Sequence, residues 1–510
     1  MNHPGESTPA RADERLAARI IGSLIGPWRS LPGLCAVVLI GLQTLWRGAI
    51  IGRGYFTQDD FLMIKLGAGR LSDLWLYNYA GHWFPGGFVF AWLQAQAGPL
   101  DWRWAAGMII GLQVIAAVLM WLVLTRLAPH SWGRVPAFAV MLTTPMSLWS
   151  TQWWAVAIQF LPVTIFLLVA VWGLLVSLDR DPRWAQPLVV AAVVGGLAFQ
   201  ERGLLIPVVL VFVAVALLEP KEGESSSLLS GVWGAVLAYR WLWATLAATC
   251  FAYLVVHRQV APVAVGTERG AEPGLLVINY LFRLFPTMAW GGPWRARVLG
   301  ESSLQPSAGV VVLTLAATVA LVIWTLRRGR WATRWAWLLL AAYLVLDVAL
   351  LFAGRTSLGE VAGLVPRYVA DVAPVLAITL GLIAGDRAST PSLRAASKAL
   401  GATGAYVAAA AITTTWMVPY FLNAPERAYV ETLRAQLRGN PQVVLFDGAV
   451  PDTIMISWFG PDAKVSTVAG LAPENPLFNV PSYEMRMVDP AGFLREIDLL
   501  GATQMVPNSS

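Results

Sequence analysis

The chain has 510 residues, 57% of them hydrophobic and only 13% charged, with a mean hydropathy of +0.61. A soluble domain carries about 25% charged residues, so a string of soluble domains is excluded and most of this chain is solvated by lipid. The net charge of +6 includes no long basic run of the kind that tracks nucleic acid, and two cysteines (Cys35 and Cys250, both in apolar stretches) with four scattered histidines give neither a disulfide framework nor a zinc motif.

In chain order, residues 1–30 are polar, carry Arg11, Arg15, Arg19 and Arg29, and read as a cytoplasmic tail, disordered to about residue 15. "LPGLCAVVLIGLQTLWRGAII", residues 31–51, exceeds the roughly 7–15 residues of a signal-peptide core and reads as a retained anchor. At about 20 apolar residues per span, further candidates are 105–126, 135–150, 154–177, 187–200, 203–218, 236–256, 308–326, 333–353, 365–385 and 400–421, eleven in all. Many of the 25 tryptophans flank these runs, as interfacial rings do. Short cytoplasmic loops are rich in Lys and Arg. With the N-terminus inside, that side collects Arg126, Arg134, Arg180, Arg183, the run "LRRGRWATRW" (Arg327, Arg328, Arg330, Arg334), Arg387, Arg394 and Lys398. Segments 52–104, 257–307, 354–364 and the tail 422–510 then face outward. In the tail "PQVVLFDGAV" reads as a strand and turn and "AKVSTVAGL" as a second strand. The expected fold is an α-helical polytopic membrane protein of about 11 transmembrane helices. A cytoplasmic tail (1–30) leads into a transmembrane domain (31–421) with outer loop 52–104, followed by a small α/β extracytoplasmic domain (422–510).

Loop 52–104 is too long for a simple connector and rich in Trp, Tyr, Phe and Leu, which predicts one or two interfacial helices starting near Asp59 and near Trp83. Its segment "YFTQDDFLMIKLG" admits two readings. In one, Thr57 and Asp60 form a capping box, Thr57 Oγ accepting from a first-turn N–H and each carboxylate gaining about 0.3–1 kcal/mol from the helix dipole. In the other, Asp59 and Asp60 belong to an active site at the membrane surface. "YNYAGHWFPGGF" adds His82 and Pro85 to the same loop. A lone histidine is more often packed than functional, but this one would share a membrane face with the carboxylates.

These segments resemble the GT-C superfamily of multi-spanning glycosyltransferases. Its members carry an acidic pair in the first outer loop, just after the first span, and use sugars carried on polyprenyl phosphate. "TQDDF" is similar in type and place, and "GHWFPGGF" looks like a degenerate form of the "HPP" segment later in that loop. The resemblance implies a GT-C-like fold with Asp59 and Asp60 as catalytic carboxylates. The Ala-, Gly-, Arg- and Trp-rich composition points to a high-GC bacterium such as an actinobacterium, where decaprenyl phosphate is the expected carrier.

Ionisable residues at span ends are costly and face a partner or a cavity. In "AFQERGLLIP", Gln200, Glu201 and Arg202 form either a turn with a self-compensating Glu–Arg pair or a re-entrant hairpin pointing at an outer cavity; several GT-C members are similar, with a charged residue at a comparable turn. In "GRTSLGEVAGLVPRYVADVAPVLAI", Arg355 and Glu360 lie in the last outer loop and Arg367 opens the tenth span. Asp371, four residues on, shares a helix face with Arg367. The two either neutralise each other or leave Arg367 to grip a lipid phosphate through its planar fork. "PRYVADVAP", with Tyr368, resembles the Arg-Tyr then Pro pattern of many GT-C members. Asp347, about 9 Å deep at 1.5 Å per residue, either lines the same cavity or pairs with a neighbour.

The expected activity is a hexosyl- or pentosyltransfer from a polyprenyl-phosphate-linked donor to a glycan, lipid or protein hydroxyl on the outer face of the plasma membrane. Asp59 or Asp60 would act as general base, and Lys65, Arg355 and Arg367 would stabilise the leaving phosphate. His82, Glu201, Arg202 and Tyr368 would line the substrate site. Two adjacent carboxylates do not complete a hard-cation site, so the need for a divalent cation stays open. Partners are the lipid-linked donor, a glycan or lipid acceptor and membrane lipids, with no nucleic acid. The competing classes are a transporter or flippase for a lipid-linked saccharide, which calls for paired repeats with broken helices, and a scaffold in which the aspartates only cap. One broken segment, near Glu201, is evident in the sequence.

Overall fold

The structure is a computed structural model and describes residues 26–180, 182–218, 228–262, 273–299, 303–387, 392–482 and 484–497. The expected N-terminal tail up to residue 25, the side chain of Arg355 and the tail beyond 497 lie outside the described residues.

Local chemistry sets the helix starts. Ser30 caps α1 (Leu31–Ile51), its hydroxyl accepting from Gly33 N at 3.2 Å, with Pro32 in the first turn, where its missing N–H is not needed. The long loop folds into α2 (Asp59–Gly67) and α3 (Pro85–Ala97), close to the expected starts. Asp101 caps α4 (Trp102–Leu127) by accepting from Arg103 N at 3.0 Å. Next come α5 (Arg134–Thr143), α6 (Trp154–Arg180), α7 (Ala185–Phe199) and α8 (Ile206–Leu217). After them α9 (Leu228–Ala238) meets α10 (Arg240–Val260) at a bend of 87°. α11 (Pro273–Ile278) runs through a π-helical stretch, Asn279–Leu284, into α12 (Phe285–Ala289). An antiparallel hairpin, β1 (Ala296–Leu299) with β2 (Ser303–Pro306), precedes α13 (Ala308–Arg328), α14 (Trp331–Arg355), α15 (Val372–Asp386) and α16 (Leu393–Met417).

Six described helices are long and apolar enough to cross a membrane, or seven if the bent pair α9–α10 makes one span. The expectation of about eleven goes beyond this. Candidates 135–150, 187–200, 203–218 and 365–385 correspond to α5, α7, α8 and α15, whose 10, 15, 12 and 15 residues fall short of the roughly 20 that span alone. α15 shows why a short helix suffices: nearly every side chain from Val372 to Ile383 is buried against other helices, so it meets protein rather than lipid.

Contacts between helix ends define two ends of the bundle. At one, Trp102 Nε1 donates to Ile51 O at 2.7 Å, joining the start of α4 to the end of α1. At the other, Arg126 and Asp179 approach to 3.7 Å, Asp386 accepts from Arg330 N at 2.6 Å, and Trp331 Nε1 donates to Val215 O at 2.7 Å. This second end carries the arginines that the loop-charge pattern assigns to the cytoplasm.

Beyond the bundle, α17 (Ala424–Gly439) is followed by β3 (Val444–Leu445), α18 (Val465–Ala469), β4 (Leu477–Phe478), β5 (Arg486–Val488) and β6 (Leu494–Glu496). The sheet order is β4-β3-β5-β6, with β3 parallel to β4 and β5, and β6 antiparallel to β5. The segment "AKVSTVAGL", expected as a strand, is helical at its centre. A short apolar run does not separate the two periods. Here Val465, Val468 and Ala469 bury one helical face, while Asp447 caps the start by accepting from Ser466 N at 2.8 Å and Ser466 Oγ at 2.9 Å. Tyr429, Val430, Leu433 and Leu437 of α17 bury at helical spacing into one cluster with Phe56, Phe61, Phe84, Phe88 and Trp154. The tail therefore shares its apolar core with the 52–104 loop and the start of α6.

A candidate active site around Trp153

The turn Thr57-Gln58 launches α2, with Gln58 at φ 51°. Asp60 is fully buried, and its oxygens accept from two backbone amides, Thr57 N at 2.9 Å and Ala155 N at 2.7 Å. It thus caps α2 and α6 together, at their positive ends. The expected capping box is half formed. Asp60 reaches back to Thr57 N, but Thr57 Oγ1 donates to Glu426 Oε1 at 2.8 Å instead of accepting from the first turn. Burial, then the neighbouring Asp59 carboxylate, push the Asp60 carboxyl well above the usual carboxylate range, against the pull of the Thr57, Ala155 and Trp154 amides.

Asp59 is part-exposed and accepts from Trp153 Nε1 at 2.7 Å. The face of the same indole seats Arg367, whose guanidinium carbon lies 4.6 Å from the ring centroid. Arg367 also lies over Tyr368, 5.0 Å from its centroid, and donates to its hydroxyl at 3.1 Å. Among the described residues Arg367 joins no ion pair, and its Nε is buried without a hydrogen-bond partner. An acid and a guanidinium far apart in the chain thus meet on one tryptophan.

Of the two alternatives for Arg367, its pairing with Asp371 does not form. Arg367 sits in a 3-10 turn, Pro366–Tyr368, ahead of α15, and Asp371 is the N-cap of α15, so they share no helix face. Asp371 pairs with Arg202 instead. Arg202 is buried, lies 3.3 Å from Asp347 and donates to Tyr368 O at 3.2 Å. Of the two sequence alternatives at this turn, the Glu201–Arg202 pair does not form: Arg202 takes Asp347 and Asp371 as its ion-pair partners. A guanidinium this deep is held by the two carboxylates that offset its desolvation. Asp347, fully buried, is the neighbour-paired case, held by Arg202 and by a hydrogen bond from the Tyr280 hydroxyl.

Glu201, freed from Arg202, takes His82 Nδ1 on Oε1 at 2.8 Å, so the loop histidine and the α7–α8 turn do meet. Burial raises the Glu201 carboxyl, but the charge and hydrogen bond of His82, together with a backbone hydrogen bond and the His257 charge, outweigh it and hold the group at about 2. Its Oε2 is buried without a partner among the described residues. A tight hairpin connects this pair to the aspartates: Tyr79 and His82 exchange backbone bonds of 3.0 and 2.9 Å around Ala80 and Gly81, both at positive φ. The buried Tyr79 hydroxyl, also without a partner, is raised well above the usual phenol range by burial, then by Asp59 and Asp60. Lys65 points elsewhere, donating to Thr467 Oγ1 of α18 at 3.1 Å. Arg355 ends α14.

Trp153, Tyr79 and Gln58 were not singled out from the sequence. An interfacial tryptophan is ordinary in such a chain, and only the folded contact shows that its edge and face serve different charges. No group of three or more His, Cys, Asp or Glu side chains gathers among the described residues. With Asp60 engaged by amides, the acidic pair does not present two carboxylates to a cation.

No family model and no curated protein matches the chain. Among solved structures it is similar to ArnT from Cupriavidus metallidurans bound to undecaprenyl phosphate, with a TM-score of 0.47 and 12% identity over 90% of this chain and 94% of that one. A likeness this distant carries no argument about what the chain does.

Proposed function

We propose that the chain is a membrane-embedded glycosyltransferase that moves a sugar from a polyprenyl-phosphate donor onto the hydroxyl of a glycan, lipid or protein at the outer face of the plasma membrane. The observation behind this reading is the pairing of Asp59 and Arg367 on the N–H edge and the ring face of Trp153. Arg367, with no carboxylate partner among the described residues, offers its fork to phosphate oxygens. Asp59, oriented by the indole N–H, takes the proton of the acceptor hydroxyl. The new bond joins that oxygen to the anomeric carbon; the bond from this carbon to the phosphate oxygen breaks, and its electron pair leaves on the phosphate beside Arg367.

Asp60 positions rather than reacts, because it fixes the starts of α2 and α6 that carry Asp59 and follow Trp153. In this reading His82 and Glu201 contact the sugar, and Arg355 is a second candidate for the phosphate. Lys65 and Arg202 have other partners and drop out. A divalent cation would be held mainly by phosphate and water oxygens, since the protein contributes one accessible carboxylate of the six to eight oxygens a calcium-type site takes. In this reading α5, α7, α8 and α15 complete about eleven crossings, the arginine-rich end faces the cytoplasm, and the tail from 422 is extracytoplasmic.

The test incubates purified protein in sealed proteoliposomes with radiolabelled polyprenyl-phosphate sugars and glycan acceptors. Label should move to the acceptor with wild type, and Arg367→Gln should raise the donor KM at least tenfold. Movement of intact lipid-linked saccharide across a bilayer, with no label on any acceptor, would replace this reading with a transporter.

A further inference from the structure

The backbone leading to Asp59 is held from one side by a distant part of the chain. Asn423 Nδ2 donates to Tyr55 O at 2.7 Å, Arg427 Nη2 donates to Gly54 O at 2.5 Å, and Thr57 Oγ1 donates to Glu426 at 2.8 Å. Gln58 is held most closely. Its N–H donates to Ile454 O at 3.0 Å, its Oε1 accepts from Ile456 N at 2.8 Å, and its Nε2 donates to Asp452 O at 3.3 Å. Gln58 is buried and sits at φ 51°, a conformation L side chains rarely adopt. Such a strained residue persists only where its surroundings over-determine it. Here the surroundings are the loop 452–456, and the next residue is Asp59.

We infer that Gln58 is a positioning residue: loop 452–456 clamps it in its left-handed turn, and so the docked tail sets the direction in which the Asp59 carboxylate points. This rests on the reading of Asp59 as the base. The amide suits the task because it supplies an acceptor for Ile456 N and donors for the Asp452 carbonyl at once. Without the side-chain clamp the turn is no longer held in one conformation, and Asp59 at the start of α2 is free to turn off Trp153. A misplacement of about 1 Å costs roughly 100-fold in rate.

Two variants separate positioning from bulk stability. Gln58→Ala removes the side-chain grip and keeps the strain; Gln58→Gly removes the grip and the strain together, since glycine adopts positive φ freely. Both should lower kcat about 10- to 100-fold with the donor KM within about twofold of wild type, and Gln58→Gly should do so with an unchanged thermal midpoint. A purely structural role gives the opposite split: a lower midpoint and an unchanged kcat per folded molecule. A Gln58→Gly protein with wild-type kcat overturns the proposal. Hydrogen exchange reads the clamp without any sugar transfer. Amides of 57–60 and 454–457 should be protected together in wild type and lose protection together in Gln58→Ala; unchanged exchange at Ile456 overturns the clamp. If wild type transfers no sugar from any donor, the functional reading fails, and the exchange arm still decides the clamp by the same two outcomes.

Discussion

Trp153 serves two charges with two parts of one ring. Its N–H bonds Asp59 at 2.7 Å and its face lies 4.6 Å from the Arg367 guanidinium. Replacing it by phenylalanine keeps a face for the cation but deletes the N–H. Trp153→Phe should therefore lower kcat by about tenfold or more while donor Kd changes little, because a hydrogen bond to a charged group contributes roughly 1.5–3 kcal/mol; Trp153→Ala should weaken donor binding as well. Asp60→Asn puts an amide among backbone N–H donors and leaves one buried amide unpaired, at about 1–3 kcal/mol, which a lower thermal midpoint reports. Glu201 gives a pH signature. Its folded value, about 2, lies below its ordinary 4.5, so its stabilisation is complete above about 4.5 and is lost as pH falls towards 2. The midpoint advantage of wild type over Glu201→Gln should shrink across that interval. Asp59, His82, Glu201 and Arg367 were legible because each is polar amid apolar neighbours. Their partners were not: Arg202 with Asp347 and Asp371 is a long-range choice that adjacency in sequence, Glu201 beside Arg202 or Arg367 four before Asp371, misrepresents.

Among the elements, α2 is held to α3 by close backbone approach. A Cβ on Gly67 would lie 2.5 Å from the Ala91 carbonyl carbon and oxygen, atoms that cannot turn away. Gly67→Ala should push the two helices apart, cost about 1–3 kcal/mol and, because α2 carries Asp59 at its other end, reduce transfer together with the thermal midpoint. The starts of α2 and α3 fall near the positions expected from the sequence, Asp59 and Trp83. The helical state of Val465–Ala469 could not be read there, since five apolar and small residues fit either period until Asp447 caps them and α17 covers their face. The shortness of α5, α7 and α8 was visible in the candidate runs 135–150, 187–200 and 203–218, but that of α15 was not, because hydropathy marks apolar environment without separating lipid from protein.

Across the whole molecule, the acidic pair, the α7–α8 turn and the start of α15 gather at one end, and the arginine-rich loops at the other. A cysteine replacing Trp458, 66% exposed on the tail, should react with an impermeant maleimide on intact cells, and one replacing Arg183, exposed between α6 and α7, should react only after lysis; the reverse pattern would invert the topology. The long spans and this charge asymmetry were plain in the sequence. The continuous core between loop 52–104 and the tail was not, since it joins segments that composition assigns to separate domains. The most direct measurement is the single-turnover transfer rate of Asp59→Asn, pre-loaded with polyprenyl-phosphate sugar and mixed with acceptor. Transfer should fall about 10²–10⁴-fold while donor binding stays at wild-type strength; a wild-type rate from the folded variant would contradict the assignment of Asp59 as the base.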